Sequence, residues 1–298
     1  MRTLVVLINR NRKLFLRDKG MFISSMITPL ILIVLYGTFL ANVYKDSFMS
    51  NIPKSICISE SLIDGTVAAQ LAAALLAVCC VTVTFCVNLT MVSDRASGAR
   101  KDFDISPIKK TEIYIGYFLS TVINSLMINF LALALCLGYV WKMGWYLSAG
   151  DVVLLVIDIV LLVLFGTVLS SIICYPLKTQ GQMSAVGTIV SAGYGFICGA
   201  YMPISSFGSG LQKVLSCLPG TYGTSLLKNH MLRGVLDAMV DEGLPKEVVS
   251  GIADSLDCNP TFNGSVVGTG TMIAIMAGSI VILGIIYLLI STMPEKKY

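Results

Sequence analysis

The chain has 298 residues and a net charge of +4, with 13% charged and 55% apolar residues. Soluble domains carry about 25% charged residues, so this chain has about half the charge that a water-exposed surface requires. Together with a mean hydropathy of +0.82, this composition excludes a soluble enzyme, a disordered chain and a nucleic-acid-binding protein as first interpretations. It indicates an all-α membrane protein.

Six apolar runs are long enough for membrane-spanning helices, because about 20 helical residues cross a hydrocarbon core of about 30 Å. The sequence therefore predicts six transmembrane helices, approximately at Met21–Ala41, Thr66–Val92, Ile113–Val140, Val152–Tyr175, Gln182–Ala200 and Thr269–Thr292. An even number of spans places both termini on one side of the membrane. We expect no cleaved signal peptide, because Leu4–Ile8 is too short for the hydrophobic core of one.

The distribution of Lys and Arg predicts the orientation. Residues 1–20, the loop 93–112, the turn after the fourth span and the C-terminal tail together carry fourteen of these residues. The other connections carry seven, in roughly twice the length. Because cytoplasmic connections of membrane proteins are enriched in Lys and Arg, we expect both termini and residues 93–112 in the cytoplasm and residues 201–268 outside.

Two of the basic segments have helical patterns. Residues 1–20 have an apolar face opposite a basic face, which predicts an amphipathic helix lying in the membrane interface. In residues 93–112, acidic and basic residues alternate before Ser106 and Pro107, which is typical of a short solvated helix closed by proline. This loop is either a charged turn or a docking element for a cytoplasmic partner.

The connection before the last span is predicted to have two parts. Residues 199–229 are too apolar for a free loop and too interrupted by Pro and Gly for a spanning helix, which predicts a re-entrant helical hairpin. Residues 230–268 are more polar and have helical spacing after Pro245, which predicts a small external helical insert. The predicted organisation is an N-terminal helix (1–20), five spans with the re-entrant segment (21–229), the external insert (230–268) and the last span with its tail (269–298).

Several polar side chains and a row of small residues lie within the predicted spans. Asn124 and Asn129 either line a cavity or make hydrogen bonds across helices. Asp158 either lines the exit of a pathway or is a partly hydrated acid paired with a neighbouring donor. The small residues recur every four positions in the fifth span and permit close helix packing, which we expect to involve a partner membrane subunit or the first span. They are Gly187, Ser191, Gly195 and Gly199.

The sequence contains no pattern for catalysis or nucleotide binding. It has no Gly-Lys dipeptide, which excludes a Walker A loop, and its only histidine is His230, which leaves no zinc pattern. We therefore expect no enzymatic activity, metal or cofactor in this chain. A disulfide among Cys57, Cys217 and Cys258 stays open, because these three cysteines lie in polar connections.

Three stretches resemble the permease subunits of type-2 ATP-binding-cassette (ABC) exporters. The first is R-D-K-G followed by Thr28, Pro29 and Leu30, where the chain enters its first span. The second runs from Asp94 to Gly116, D-R-A-S-G and then S-P-I-K-K-T-E-I-Y-I-G, and is similar to the coupling helix of the family, although family members often carry Glu in place of Asp94. The third, G-A-Y-M-P-I-S-S-F and then L-P-G-T-Y, is similar to the re-entrant segment of the family.

The resemblance implies a half-transporter in the plasma membrane of a bacterium. Two permeases, either identical copies or paralogues, would pair in the lipid, and two separate subunits that bind ATP and Mg²⁺ would dock beneath them. The residues implied for docking of the ATP-binding subunit are Asp94, Arg95, Gly98 and Phe103, and those implied for the re-entrant segment are Pro203, Pro219 and Tyr222.

Family substrates include drugs, peptides, lipids and polysaccharides, and no residue of this sequence selects among them. Two alternative functions, outside the ABC exporters, stay open. An ion-driven secondary transporter would work without an ATPase and would depend on Asp158. A non-transporting sensor or assembly subunit would show no substrate-stimulated ATP hydrolysis in its complex.

Overall fold

The computed structural model describes residues 2–35, 59–262 and 265–292, and almost all of its regular structure is helical. The helices are α1 (Arg2–Arg17), α2 (Lys19–Leu35), α3 (Glu60–Ala96), α4 (Arg100–Asp104), α5 (Lys110–Met143), α6 (Ala149–Cys174), α7 (Gln180–Ile197), α8 (Ser209–Ser216), α9 (Pro219–Asp241), α10 (Lys246–Ser255) and α11 (Thr269–Thr292). A 3₁₀ turn covers Ile204–Ser206. The strands β1 (Thr261–Phe262) and β2 (Ser265–Val266) form an antiparallel pair before α11.

Four helices in the described part of the chain are long and apolar enough to cross a membrane: α3, α5, α6 and α11. They correspond to the second, third, fourth and sixth predicted spans. The first predicted span begins in α2 and extends beyond Leu35, outside the described residues. The fifth corresponds to α7, which has 18 residues and a length of about 27 Å, and its Gln, Ser and Gly residues make it less apolar than the other four.

The helix α3 lies at the centre of the bundle. In its most apolar window 94% of the residues are buried, against 11% for α11 at the periphery. The reason is visible in its sequence, since α3 is apolar all round and rich in Ala between Ala68 and Ala77, and a helix of that kind is buried on every side. It contacts α2, α5, α6, α7 and α9.

The long helix α9 differs from what the sequence predicted. The boundary predicted between residues 229 and 230 is wrong, because one helix runs without a break from Pro219 to Asp241. The polar character of residues 230–268 indicated an external segment, but Lys228 and His230, on either side of the predicted boundary, are both buried within the bundle. Their partners come from parts of the chain distant in sequence, which local patterns do not reveal.

The helix α9 packs against α6 in the antiparallel direction. Its first turn lies beside Phe165, and His230, further along, lies beside Asp158. Gly234 follows at the turn between α5 and α6, where an added Cβ atom would lie 1.9 Å from the carbonyl oxygen of Tyr146. Phe165 lies sixteen residues after the start of α6. The helix α9 therefore begins about 24 Å along α6 from that start, inside the bundle.

Candidate functional site at the charged end of the bundle

The charged end of the bundle consists of α1, the ends of α3 and α6, the short helix α4 and the start of α5. Asp94 on α3 is buried there. Its carboxylate accepts hydrogen bonds from both terminal nitrogens of Arg10 on α1, with 3.0 Å between Nη2 and Oδ1. It also accepts one from the hydroxyl of Tyr117 on α5, at 2.5 Å. A bidentate Arg–carboxylate pair is strong and directional. Asp94 therefore holds α1, α3 and α5 in a fixed arrangement.

Arg10 keeps its charge in this setting. Partial burial lowers the pKa of the guanidinium, but the hydrogen bond and negative charge of Asp94 act in the opposite direction, and the pKa lies above its ordinary value. Arg10 therefore stays positively charged at physiological pH, and its hydrogen bonds to Asp94 connect α1 to α3.

Arg95 connects α3 to the end of α6. Its guanidinium donates hydrogen bonds to the carbonyl oxygens of Cys174, at 3.3 Å, of Leu177, at 3.2 Å, and of Tyr175. It also lies over the Tyr175 ring, 5.3 Å from the centroid. The last carbonyls of a helix lack partners within the helix and carry partial negative charge. Arg95 satisfies them and joins the two helices.

The short helix α4 folds back on the same cluster. Phe103 is half-buried, and the Arg10 guanidinium lies 4.9 Å from the centroid of its ring, in a cation–π contact. Arg100 is buried over the ring of Tyr114 on α5, at 4.8 Å. The backbone oxygen of Tyr114 in turn accepts a hydrogen bond from Tyr287 on α11, at 3.2 Å. The loop is thereby connected to the last helix.

These contacts show what the loop residues do within the chain. Asp94, Arg95 and Phe103 bind the chain's own helices and position the loop, and their contact with an ATP-binding subunit stays a prediction. Gly98 has a φ of +83° and makes the turn between α3 and α4, a conformation that favours glycine. The residue that the sequence prediction missed is Ile105, whose side chain is 86% exposed.

The position of Ile105 follows from helical geometry. Residues two apart on a helix point in nearly opposite directions, so where Phe103 packs inward, Ile105 at the end of α4 points away from the bundle. Lys101 and Asp102 beside it are also exposed. The loop therefore presents an apolar side chain flanked by charges, and the two-residue spacing from Phe103 was the sequence signal that could have identified it.

Deeper in the bundle, a polar contact joins three spanning helices. Asn88 on α3 donates hydrogen bonds to the hydroxyls of Ser170, at 3.0 Å, and Ser171, at 3.1 Å, both on α6. It accepts one from Thr121 on α5, at 3.4 Å. The sequence analysis did not single out Asn88, since one Asn in an apolar run does not reveal which helices surround it.

The two predicted Asn residues on α5 behave differently. Asn129 donates to the backbone oxygen of Ser125 in its own helix, at 2.8 Å. Both side-chain polar atoms of Asn124 are buried without a hydrogen-bond partner among the described residues. The sequence analysis offered a hydrogen bond across helices as one role for these residues. In the described part of the chain neither Asn124 nor Asn129 makes such a bond.

Asp158 is paired with a neighbouring donor, which was one of the two roles predicted for it. Its Oδ2 atom lies 2.6 Å from Nδ1 of His230 on α9, and both side chains are buried. Nearby on α9, the ammonium of Lys228 donates to the carbonyl oxygen of Gly199, at 2.8 Å, and lies 3.6 Å from Oδ2 of Asp257. Two ionisable side chains therefore connect α9 to α6 and to the segments on either side of α9.

The predicted re-entrant residues lie around the start of α9. Pro219 occupies its first turn, where the missing N–H group leaves no hydrogen bond unmade. The hydroxyl of Tyr222 donates to the carbonyl oxygen of Ser216 in α8, at 2.6 Å. Pro203 precedes the 3₁₀ turn. Tyr222 thus joins the end of α8 to the start of α9.

The row of small residues packs within the chain. Gly187 faces Leu89 of α3, where an added Cβ would lie 3.8 Å from Cδ1, and Ser191 is half-buried. Gly195 lies against the Tyr201 ring, which would be 2.2 Å from such a Cβ. Gly199, with a φ of +73°, lies beyond the end of α7 and does not share its face. The expectation of one continuous helical stripe is therefore wrong at its last position.

Two of the three cysteines considered for a disulfide are described. Cys217 is exposed and Cys258 is buried, and both are free thiols in the described part of the chain. Cys57 lies outside the described residues.

A bundle of long apolar helices joined by buried polar contacts defines a multi-pass membrane protein. Residues 2–232 match the ABC-2 type transporter family. This match covers most of the chain, includes all three stretches that carry the resemblance, and ends within α9. The chain belongs to the ABC-2 type transporter family, whose members are permease subunits of ABC transporters. No curated protein and no solved structure matches this chain.

Proposed function

We propose that this chain is one permease of an ABC exporter. It pairs with a second permease, identical or paralogous, and forms the substrate pathway with it, while a separate subunit binds ATP and Mg²⁺. The charged end lies in the cytoplasm with both termini, and the chain contributes six spans to a bacterial plasma membrane. Family membership supports the permease role, and the Lys and Arg distribution supports the orientation.

The start of α9 supports a re-entrant segment in this scheme. The helix α9 begins deep inside the bundle beside Phe165 and passes the turn before α6 at Gly234, so the chain leaves the bundle at the end where α6 starts. Membrane proteins tolerate such a segment where protein covers its backbone, and most of α9 is buried against α3, α6 and α11.

Energy coupling runs through the loop 93–112. The observation that carries this proposal is that Phe103 and Arg100 attach α4 to Arg10 of α1 and Tyr114 of α5, while Ile105 is almost fully exposed. A force on Ile105 acts on a short element whose contacts reach α1, α3 and α5, and Arg95 extends the connection to α6. Movement of the ATP-binding subunit would therefore shift several helices together.

The contact with the ATP-binding subunit is centred on Ile105. An exposed aliphatic side chain between Lys101, Asp102 and Lys109 can enter an apolar pocket while the charges make contacts around its rim. Removing a buried interface anchor typically costs about 2 kcal/mol or more. We expect Ile105→Ser to weaken the assembly to that extent without unfolding the permease, because the side chain makes little contact with its own chain.

The test is co-purification of the ATP-binding subunit with the permease, together with export by the assembled complex. Ile105→Ser should lower both. Val266→Ser is the matched control, because Val266 is another exposed aliphatic residue, at 62%, and lies in β2 just before α11, whose far part carries Tyr287 at the charged end. Equal recovery of the ATP-binding subunit with wild type and Ile105→Ser, with normal export, would reject this contact.

The buried pair of Asp158 and His230 is the observation that favours the ion-driven alternative. Ionisable groups inside a membrane protein commonly mark ion or proton pathways. That alternative predicts transport without any ATP-binding subunit, lost in Asp158→Asn. Transport that requires the ATP-binding subunit and substrate-stimulated ATP hydrolysis would reject it, and would also reject a non-transporting subunit.

A further inference from the structure

A cavity of about 550 Å³ lies between four helices in the apolar part of the bundle. Its wall includes Phe85 of α3, Phe165 of α6, Ile189 of α7 and Ile282 of α11. Ile189 and Ile282 are 69% and 61% exposed, so the cavity opens at the side of the bundle, where acyl chains lie. Its volume is within the range of about 300–1,000 Å³ that is typical of small-molecule sites.

The start of α9 contributes to this wall, which is otherwise almost entirely apolar. Leu218, Pro219, Gly220 and Thr221 all line the cavity. No side chain caps this helix among the described residues, so the N–H group of Gly220 is available to a ligand. A helix start carries a partial positive charge of about half a unit and binds anions readily. This charge lies inside the apolar bundle, where water does not screen it.

A second donor lies at the same place. The hydroxyl of Tyr194 is buried and has no hydrogen-bond partner among the described residues, although Tyr194 lines the cavity. It lies against Gly220, since a Cβ atom added there would be 2.7 Å from Oη. Glycine at this position therefore lets the hydroxyl approach the helix start. A buried hydroxyl without a partner is costly, which indicates that a ligand supplies the missing acceptor.

We propose that this cavity binds an amphiphile with an anionic head and an apolar chain. The head accepts hydrogen bonds from the Tyr194 hydroxyl and the Gly220 N–H group, and the chain lies along Phe85, Phe165 and Ile282. A cationic head is disfavoured by the positive end of α9. This inference rests on the proposed export function in so far as it names the class of molecule that the permease handles.

The test is direct binding of dodecyl phosphate to the purified full-length permease in nanodiscs, without the ATP-binding subunit. Tyr194→Phe should weaken binding about tenfold, because it removes a hydrogen bond to a charged group. Dodecyltrimethylammonium, with the same chain and the opposite charge, should bind at least tenfold more weakly than dodecyl phosphate to wild type and should not respond to Tyr194→Phe.

Variants of α11 test the part of the cavity that holds the apolar chain of the amphiphile. Ile282→Trp should fill this part of the cavity and abolish saturable binding. Ile285→Trp is the matched control, because Ile285 is 53% exposed on the same helix and lies outside the cavity wall. Thermal unfolding of ligand-free Tyr194→Phe should be unchanged or shifted upward, since the variant removes an unpartnered buried hydroxyl.

Two results would overturn the proposal: equal binding of the two amphiphiles, or dodecyl phosphate binding that survives Ile282→Trp. If Tyr194→Phe does not fold, the charge comparison and the α11 variants decide alone. Competition by phosphatidylglycerol would identify a membrane lipid as the natural source of the amphiphile, and its failure would identify a free single-chain molecule. Because the ATP-binding subunit is absent, a negative result leaves the Ile105 experiment unaffected.

Discussion

Asp158 on α6 and His230 on α9 form a buried pair with 2.6 Å between Oδ2 and Nδ1. Asp158 is nine residues into α6, or about 14 Å from the start of that helix. The pair holds the middle of α9 against a spanning helix. Removing one partner of a buried pair leaves the other without compensation, which typically costs about 3–5 kcal/mol.

The pair therefore predicts a non-additive double-mutant cycle. Asp158→Ala and His230→Ala should each lower the unfolding temperature in detergent, and the double variant should lose much less than the sum, because no uncompensated group remains. Additive losses would show that the two side chains do not act as a pair.

The Arg10–Asp94 pair predicts a change in the exposure of the loop. Arg10→Ala should loosen α4 and raise the rate of trypsin cleavage after Lys101, which is exposed at the loop surface. Lys13→Ala on the same helix is the control, because Lys13 is exposed and its removal leaves Asp94 paired. Equal cleavage rates in wild type and Arg10→Ala would contradict the positioning role of Asp94.

The cysteines Cys217 and Cys258 are predicted to differ in thiol reactivity. Burial raises the pKa of Cys258 to about 12, opposed by the positive charge of Lys228 and assisted by the negative charges of Asp257 and Asp254. Since the thiolate is the reactive form, a raised pKa lowers the reactive fraction at neutral pH, and the buried Cys258 should react slowly until the protein unfolds.

Cys217 is exposed and should react with maleimide at pH 7.5. The measurement uses a Cys57→Ser background, and Cys217→Ser in that background should abolish the fast labelling. Fast labelling that persists would mean that Cys258 or another buried thiol is accessible.

Gly234 predicts a large effect of a single methyl group. The backbone oxygen of Tyr146 occupies the place of a Cβ atom at this position, and backbone does not move aside as a flexible side chain does. Gly234→Ala should destabilise the fold by about 1–3 kcal/mol, the usual range for overpacking. Gly251→Ala on α10 should be neutral or slightly stabilising, because nothing lies within 4 Å of its Cβ position. Equal unfolding temperatures for the two variants would contradict this packing.

The sequence predicted the elements whose signals are local. The bounds predicted for the last span agree with α11, since polar residues flank an uninterrupted apolar run. The boundary predicted at residue 230 failed because one helix runs through it, and Lys228 and His230 on either side are buried by partners tens of residues away. The contact of Asp94 with Arg10 was not predicted either, since Arg10 lies 84 residues before it. Pairings of this kind depend on tertiary packing, and one sequence does not contain them.

Site-directed cross-linking tests the central claim, that the loop of this permease receives the movement of an ATP-binding subunit. In cysteine-free permease expressed with that subunit, Ile105→Cys carries a photoreactive maleimide, and Ser250→Cys on α10 is the control, because Ser250 is exposed at the other end of the bundle. The account predicts a cross-link to the ATP-binding subunit from position 105, changed by ATP, and none from position 250. A cross-link from position 250 with none from position 105 would contradict it.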